Sequence, residues 1–168
     1  MTAGRSSRVY PAAMADDTYT VERATTIDAP PERIYQHVAN FHSWRSWSPW
    51  EGVDPDMRRT YTGPDTGPGA TYAWEGNRKA GAGRMEIVEA AEPARVRIDL
   101  RFLKPFKATN VTRFDLAPVG DATDVTWTMT GSRNAVMAVA GKLFFDKAIG
   151  KDFDRGLAGL KARAERGA

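Results

Sequence analysis

The chain has 168 residues, a formal net charge of +3 and no cysteine. The missing cysteine excludes disulfides, thiolate nucleophiles and cysteine-ligated zinc, and it suits a reducing compartment. The charges are interspersed, which leaves no basic stripe for nucleic acid, and no uncharged apolar run approaches the roughly 18 residues of a membrane-spanning helix.

Arg5 and Arg8 are followed by no apolar run, so residues 1–16 read as a disordered tail rather than a secretion signal. Met14 is a candidate true start, and residues 17–168 are expected to form one domain. The expected location is the cytoplasm. "TYTVERATTID" (18–28) alternates loosely and predicts a strand. "APPERIYQHVANF" (29–41) predicts a short helix, with proline in its first turn and Ile34, Tyr35 and Val38 on one face. "FHSWRSW" predicts a second helical turn, which Ser48-Pro49 ends.

Six further strands follow, over 56–63, 70–76, 83–90, 94–102, 106–118 and 123–131, joined by Gly/Pro-rich turns. Val96, Ile98, Leu100 and Phe102 alternate with Arg95, Arg97, Asp99 and Arg101. Each strand therefore has one buried and one wet face, as in an antiparallel meander. Residues 133–166 read as a long helix with Ile149, Phe153, Leu157, Leu160 and Ala164 on one stripe. Gly141, Gly150, Gly156 and Gly159 lie within it. They predict either close packing on the sheet or a hinge near Gly141 or Gly150.

Trp44, Trp47 and Trp50 recur at intervals of three. They could pack a core, stack nucleic-acid bases or rim a ligand cavity. Base stacking wants a basic groove, whereas the charges after Trp50 are mostly acidic. Trp50, beyond the proline, is the best rim candidate.

The stretches "VERATTIDAPPERIYQHVANFHSWRSWSPW", "MRRTYTGPDTGPGATYAWEGN", "GAGRMEIVEA", "VRIDLRFLKPF", "TDVTWTMTG" and "GKDFDRGLAGLK" resemble the SRPBCC (START-like, birch-pollen-allergen-like) superfamily. Within it, the likeness is to the bacterial polyketide cyclase/dehydrase-like subgroup. The resemblance implies an α+β helix-grip fold: a seven-stranded curved antiparallel sheet, two short helices and a long C-terminal helix enclosing a cavity. Members of the superfamily bind hydrophobic molecules there, and a minority act on them. No catalytic residue carries over, because the subgroup has no agreed catalytic motif.

On that fold the expected cavity lining is Trp47, Trp50, Tyr72, Trp74, Met85, Ile87, Ile98, Leu100, Asn110, Thr112, Phe114, Trp127 and Met129, with Val96 on the same face. Met137, Phe144 and Phe153 would come from the helix. For each, plain core packing is the competing expectation. Asn110 stands out, since a buried amide must find partners and could bind a ligand carbonyl or hydroxyl.

Chemical motifs are sparse. His37 and His42 are five apart with no carboxylate at ligand spacing, so no metal is expected. No nucleophile elbow or phosphate loop appears. Glu75, Glu86 and Asp99 are candidate acid–base groups, but alternation turns Glu75 and Glu86 outward; Glu75 could still bend in at its turn. Arg23 and Arg113 read as outward, Arg23 less firmly. The expected function is binding of a hydrophobic or amphipathic small molecule (lipid-, polyketide- or aromatic-like) without cofactor, nucleic acid or membrane insertion, with homodimerisation open. The alternatives are a cyclase/dehydrase-type enzyme working by positioning plus one acid–base group, and a protein-interaction module.

Overall fold

The computed structural model describes residues 18–132 and 142–166, the side chains of 142–146 excepted. β1 (Thr18–Ile27) leads into α1 (Pro31–Val38) and a 3-10 helix (Phe41–Ser46). Then come β2 (Arg58–Thr62), β3 (Thr71–Glu75), β4 (Ala82–Ala91), β5 (Arg95–Lys104), β6 (Ala108–Val119), β7 (Ala122–Ser132) and the long helix α2 (Lys142–Arg166). The expected tail, the candidate start at Met14, residues 133–141 of the expected helix, Met137 and Gly141 lie outside the described residues. So does the Phe144 side chain.

All seven strands form one antiparallel sheet in the order β1-β7-β6-β5-β4-β3-β2. The short turns between β2 and β7 make a meander, while β1 closes against β7 at the far edge. α1 and the 3-10 helix therefore carry the chain from one edge of the sheet to the other. α2 packs on β1 and touches both short helical segments. This is the α+β helix-grip fold.

The alternation of the sequence maps onto the sheet with one slip. In β4 the register shifts between Ile87 and Glu89, leaving Val88 unpaired and exposed. That is a β-bulge: the extra residue resets the phase, so Ala90 rather than Glu89 packs towards the core.

The tryptophans answer to the geometry of their turn. A 3-10 helix has three residues per turn, so i and i+3 lie on one side. Trp44 and Trp47 accordingly face the sheet together, their rings 4.7 Å apart. Trp44 Nε1 donates to the Val38 carbonyl at 3.0 Å and Trp47 Nε1 to that of His37 at 3.2 Å. Both indoles meet Phe114 and Trp127 edge-on. From α2, Phe153 stacks on Trp127 at 4.0 Å and 7°. These five rings fill one half of the concave face.

The helical glycines serve this packing. A Cβ on Gly156 would lie 2.7 Å from the Trp127 ring, and one on Gly159 would lie 2.7 Å from the Trp47 carbonyl oxygen. At Gly150 the guanidinium of Arg23 occupies the space. Arg23 is thus in phase with Tyr19 and Val21, not outward as expected, and it reaches across the sheet edge to Asp154 on α2 at 3.5 Å. Arg113 does point outward, with its Nε donating to Asp115 at 2.7 Å.

Candidate functional site

The other half of the concave face is not filled. A cavity of about 320 Å³ lies there, within the range of small-molecule sites. Its floor is a single transverse row of cross-strand partners. Tyr72 faces Met85, Met85 faces Leu100, Leu100 faces Asn110, Asn110 faces Gly131, and Gly131 faces Tyr19. Five of those six residues line the cavity, with Gly131 between the last two. Trp74, Phe102 and Ala108 extend the floor towards the strand ends, while Trp50 and Ile149 close it from the side of α2.

One step along the strands the picture changes. Ile87, Ile98 and Thr112 form the next row and lie in the core. The Thr112 hydroxyl accepts from Trp127 Nε1 at 2.7 Å and donates to the Thr128 carbonyl at 3.2 Å, so its polar capacity is spent inside. Phe114 and Trp127 belong to the ring cluster, as do Trp47 and Phe153, and Val96 is buried in the core. Of the expected lining, the structure thus brings Trp50, Tyr72, Trp74, Met85, Leu100, Asn110 and Met129 together around the cavity. It places Trp47, Ile87, Ile98, Thr112, Phe114, Trp127 and Phe153 in solid packing.

Polar groups stand at both ends of the lining. At one end, Tyr19 Oη donates to Asn110 Oδ1 at 2.6 Å. The bond passes over Gly131, where a Cβ would overlap Asn110 Oδ1 and meet the Tyr19 ring at 2.9 Å. The Asn110 amide nitrogen has no hydrogen-bond partner among the described residues. At the other end is Glu51, a carboxylate that sequence reasoning missed because it sits in a loop, where alternation has no phase.

Glu51 accepts from Arg59 and forms an ion pair with it. Both side chains are largely buried, 16% and 15% exposed. This hydrogen bond holds the Arg59 guanidinium above its usual range. Burial, then the nearby Glu51 charge, pushes the Tyr72 phenol up to about 12, so it remains a neutral donor at ordinary pH. Tyr61 stacks on Tyr72 at 5.2 Å, and its phenol is raised for the same reasons, burial first. Arg59 Nε and Tyr61 Oη are buried without a hydrogen-bond partner among the described residues.

Trp50 joins the cavity to α2. Its Nε1 donates to Asp152 at 3.3 Å, and its ring meets Trp127 and Phe153 edge-on at 5.7 and 6.3 Å. Trp74 stacks on Tyr72 at 5.9 Å and donates to the Ala80 carbonyl at 3.0 Å.

The other chemical candidates stay out of the cavity. Glu75 pairs outside with Arg58 at 2.9 Å and with Lys104 at 3.7 Å, and Glu86 lies 3.4 Å from Arg84. Asp99 lies opposite Glu86 on the outer face. His37 Nδ1 is 2.7 Å from the Ser43 hydroxyl, and the His42 ring stacks on Tyr61 at 4.0 Å. Among the described residues no cluster of three His, Asp or Glu side chains is placed to hold a metal ion, and no helix is long and apolar enough to cross a membrane.

A sequence profile described as polyketide cyclase / dehydrase and lipid transport matches residues 18–165. No curated protein matches the chain at a significant level. Among solved structures, the di-domain ARO/CYC BexL from the BE-7585A biosynthetic pathway superposes with a TM-score of 0.66 at 18% identity. That alignment covers 89% of this chain and 51% of BexL. Ara h 8.0201 gives 0.63 at 9% identity, covering 88% and 97% of the two chains. The Aha1 dimer from Colwellia psychrerythraea gives 0.61 at 19% identity, covering 88% and 96%. At these identities the likeness is one of fold.

Proposed function

This chain belongs to the polyketide cyclase / dehydrase and lipid transport family, within the SRPBCC superfamily, and from that premise we propose that it holds a hydrophobic or amphipathic small molecule in the cavity between sheet and α2. The observation that carries the reading is the composition of the floor row: apolar Met85 and Leu100 flanked by Tyr72 at one side and the Asn110–Tyr19 pair at the other. Apolar burial would supply affinity, at roughly 25 cal/mol per Å² removed from water. The free Asn110 N–H groups would orient the ligand by donating to a carbonyl or hydroxyl oxygen. A cavity of about 320 Å³ suits one acyl chain or a fused-ring system better than a two-chain lipid. All the residues invoked come from one chain, so binding needs no second copy. The setting is the cytoplasm, where a cysteine-free chain forgoes no disulfide.

Native mass spectrometry of freshly purified protein, followed by denaturation, tests the reading. A stoichiometric adduct that carries an oxygen acceptor supports it, and its loss in Asn110→Leu assigns the polar contact. An apo mass together with unchanged tryptophan emission across a panel of hydrophobic compounds sinks it.

Glu51 favours a second reading, that of a cyclase/dehydrase-type enzyme. It is the carboxylate that lines the cavity among the described residues, and Arg59 fixes its orientation. In this role it would take a proton from a substrate folded against Tyr72, the cavity supplying the pose. Turnover of a bound polyketide-like compound, abolished in Glu51→Gln with binding intact, distinguishes the enzyme from the carrier.

A further inference from the structure

The mouth of the cavity has a feature that ligand binding does not use. Among the described residues four large hydrophobic side chains are exposed, and two of them, Leu103 at 53% and Phe106 at 49%, stand at the end of β5 and on the β5–β6 turn that follows it. Phe106 also lines the cavity, together with Lys104 and Pro105. The lip of an apolar cavity is therefore itself apolar and faces water.

Cations outnumber acids around this lip. Segments 76–81 and 101–107 carry Arg78, Lys79, Arg101, Lys104 and Lys107 and no carboxylate. The two segments adjoin: Ala82 pairs with Lys104, and a Cβ on Gly81 would overlap the Lys104 carbonyl. Glu75 is the nearby acid, and it is shared between Lys104 and Arg58. Arg78, Lys79, Arg101 and Lys107 form no ion pair among the described residues.

We infer that this tip docks on the surface of an anionic lipid bilayer, with Leu103 and Phe106 entering the interface and the five cations facing the headgroups. The inference goes beyond the ligand reading and does not depend on which ligand is held. Charge complementarity selects the occupant. Basic side chains beside a membrane are attracted to its negative surface, and a few apolar side chains then anchor the contact. Two apolar side chains on a narrow turn do not form the broad complementary face that a stable protein partner requires, but a fluid surface needs no matched shape. The position has a consequence for function: with the lip in the interface, an apolar ligand passes between bilayer and cavity without crossing water.

Co-sedimentation with vesicles tests this. The purified protein is spun with vesicles of phosphatidylcholine alone and of phosphatidylcholine doped with phosphatidylglycerol. The expected result is pelleting with the doped vesicles only. High salt reverses it, because the screening length falls from about 8 Å at physiological ionic strength to about 3 Å at 1 M. Leu103→Ser/Phe106→Ser and Lys104→Gln/Lys107→Gln should each weaken vesicle binding roughly tenfold or more, with unchanged thermal melts since all four positions are exposed. Pelleting that ignores phosphatidylglycerol, or that both variants retain, overturns the inference. So does wild-type self-association in light scattering that Leu103→Ser/Phe106→Ser abolishes, since the tip would then be a contact between copies. A third variant, Leu103→Ser/Arg101→Gln/Lys107→Gln, changes exposed positions outside the cavity lining and keeps the two readings apart: its native mass should retain the ligand while vesicle binding is lost.

Discussion

Tyr19 and Asn110, 91 residues apart in sequence, share a buried hydrogen bond of 2.6 Å that spans the glycine between their strands. Gly131 is the partner of both residues in the ladders, and only a residue without a Cβ lets the phenol reach the amide. Tyr19→Phe removes the donor and leaves the Asn110 carbonyl unpaired. The expected cost is about 1–3 kcal/mol by chemical denaturation. Gly131→Ala should cost a similar amount, about 1–3 kcal/mol through steric overlap, and should also displace Asn110 and so lower ligand affinity. Full affinity in Gly131→Ala would detach Asn110 from the site.

Phe153 and Trp50 separate packing from binding. Phe153 is fully buried and stacked on Trp127, so Phe153→Ala should lose about 3–5 kcal/mol. Trp50 is partly buried and lines the cavity. Trp50→Phe keeps the ring contacts and loses the bond to Asp152, so a smaller loss of about 0.5–1.5 kcal/mol is expected, with a change in ligand-dependent fluorescence. Equal losses in the two variants would show Trp50 to be core.

Tyr61 offers a test of the opposite sign. Its hydroxyl is buried with no partner among the described residues. Tyr61→Phe removes that unpaired group and keeps the stack on Tyr72, so stability should hold or rise by up to about 1 kcal/mol. A clear loss in urea denaturation would mean that the hydroxyl has a partner in solution.

His37 sets an acid limit. Burial, and then the Arg163 charge, holds its imidazole below the ordinary 6.5. The unfolded chain therefore binds this proton more readily than the folded one, and stability rises with pH between the two values. The contribution is complete above about 6.5 and declines as pH falls from there towards the folded value. The melting temperature should drop on mild acidification, and less so in His37→Gln. Parallel acid profiles for the two proteins would rule out His37 as the cause.

Tyr72 sets a limit at the alkaline end. Its phenol is raised from 10.0 to about 12, so the folded state disfavours the phenolate. The associated stability is present below about 10 and lost as pH rises towards 12. Spectroscopic titration should show the Tyr72 phenol ionising late and reverting towards 10 in Glu51→Gln, but only in part, because burial is the larger cause.

The sequence alone determined the strands, most of their inward faces and the order of elements, because side chains alternate with a period of two and turns announce themselves with Gly and Pro. It placed Tyr72, Met85, Leu100, Asn110 and Met129 on the concave face for that reason. What it left open was position along each strand. Asn110, Thr112 and Phe114 are identical in phase, yet Asn110 lines the cavity while Thr112 and Phe114 lie in solid core. The difference is made by Trp44, Trp47 and Phe153, which arrive from the 3-10 helix and α2 and fill one half of the groove. Loop residues such as Glu51 have no periodicity to read, and Glu51 became a cavity group only when the chain folded it against Arg59 on β2. Local pattern fixes which way a side chain points. Whether it meets another side chain or empty space depends on segments distant in sequence, and only tertiary packing decides that.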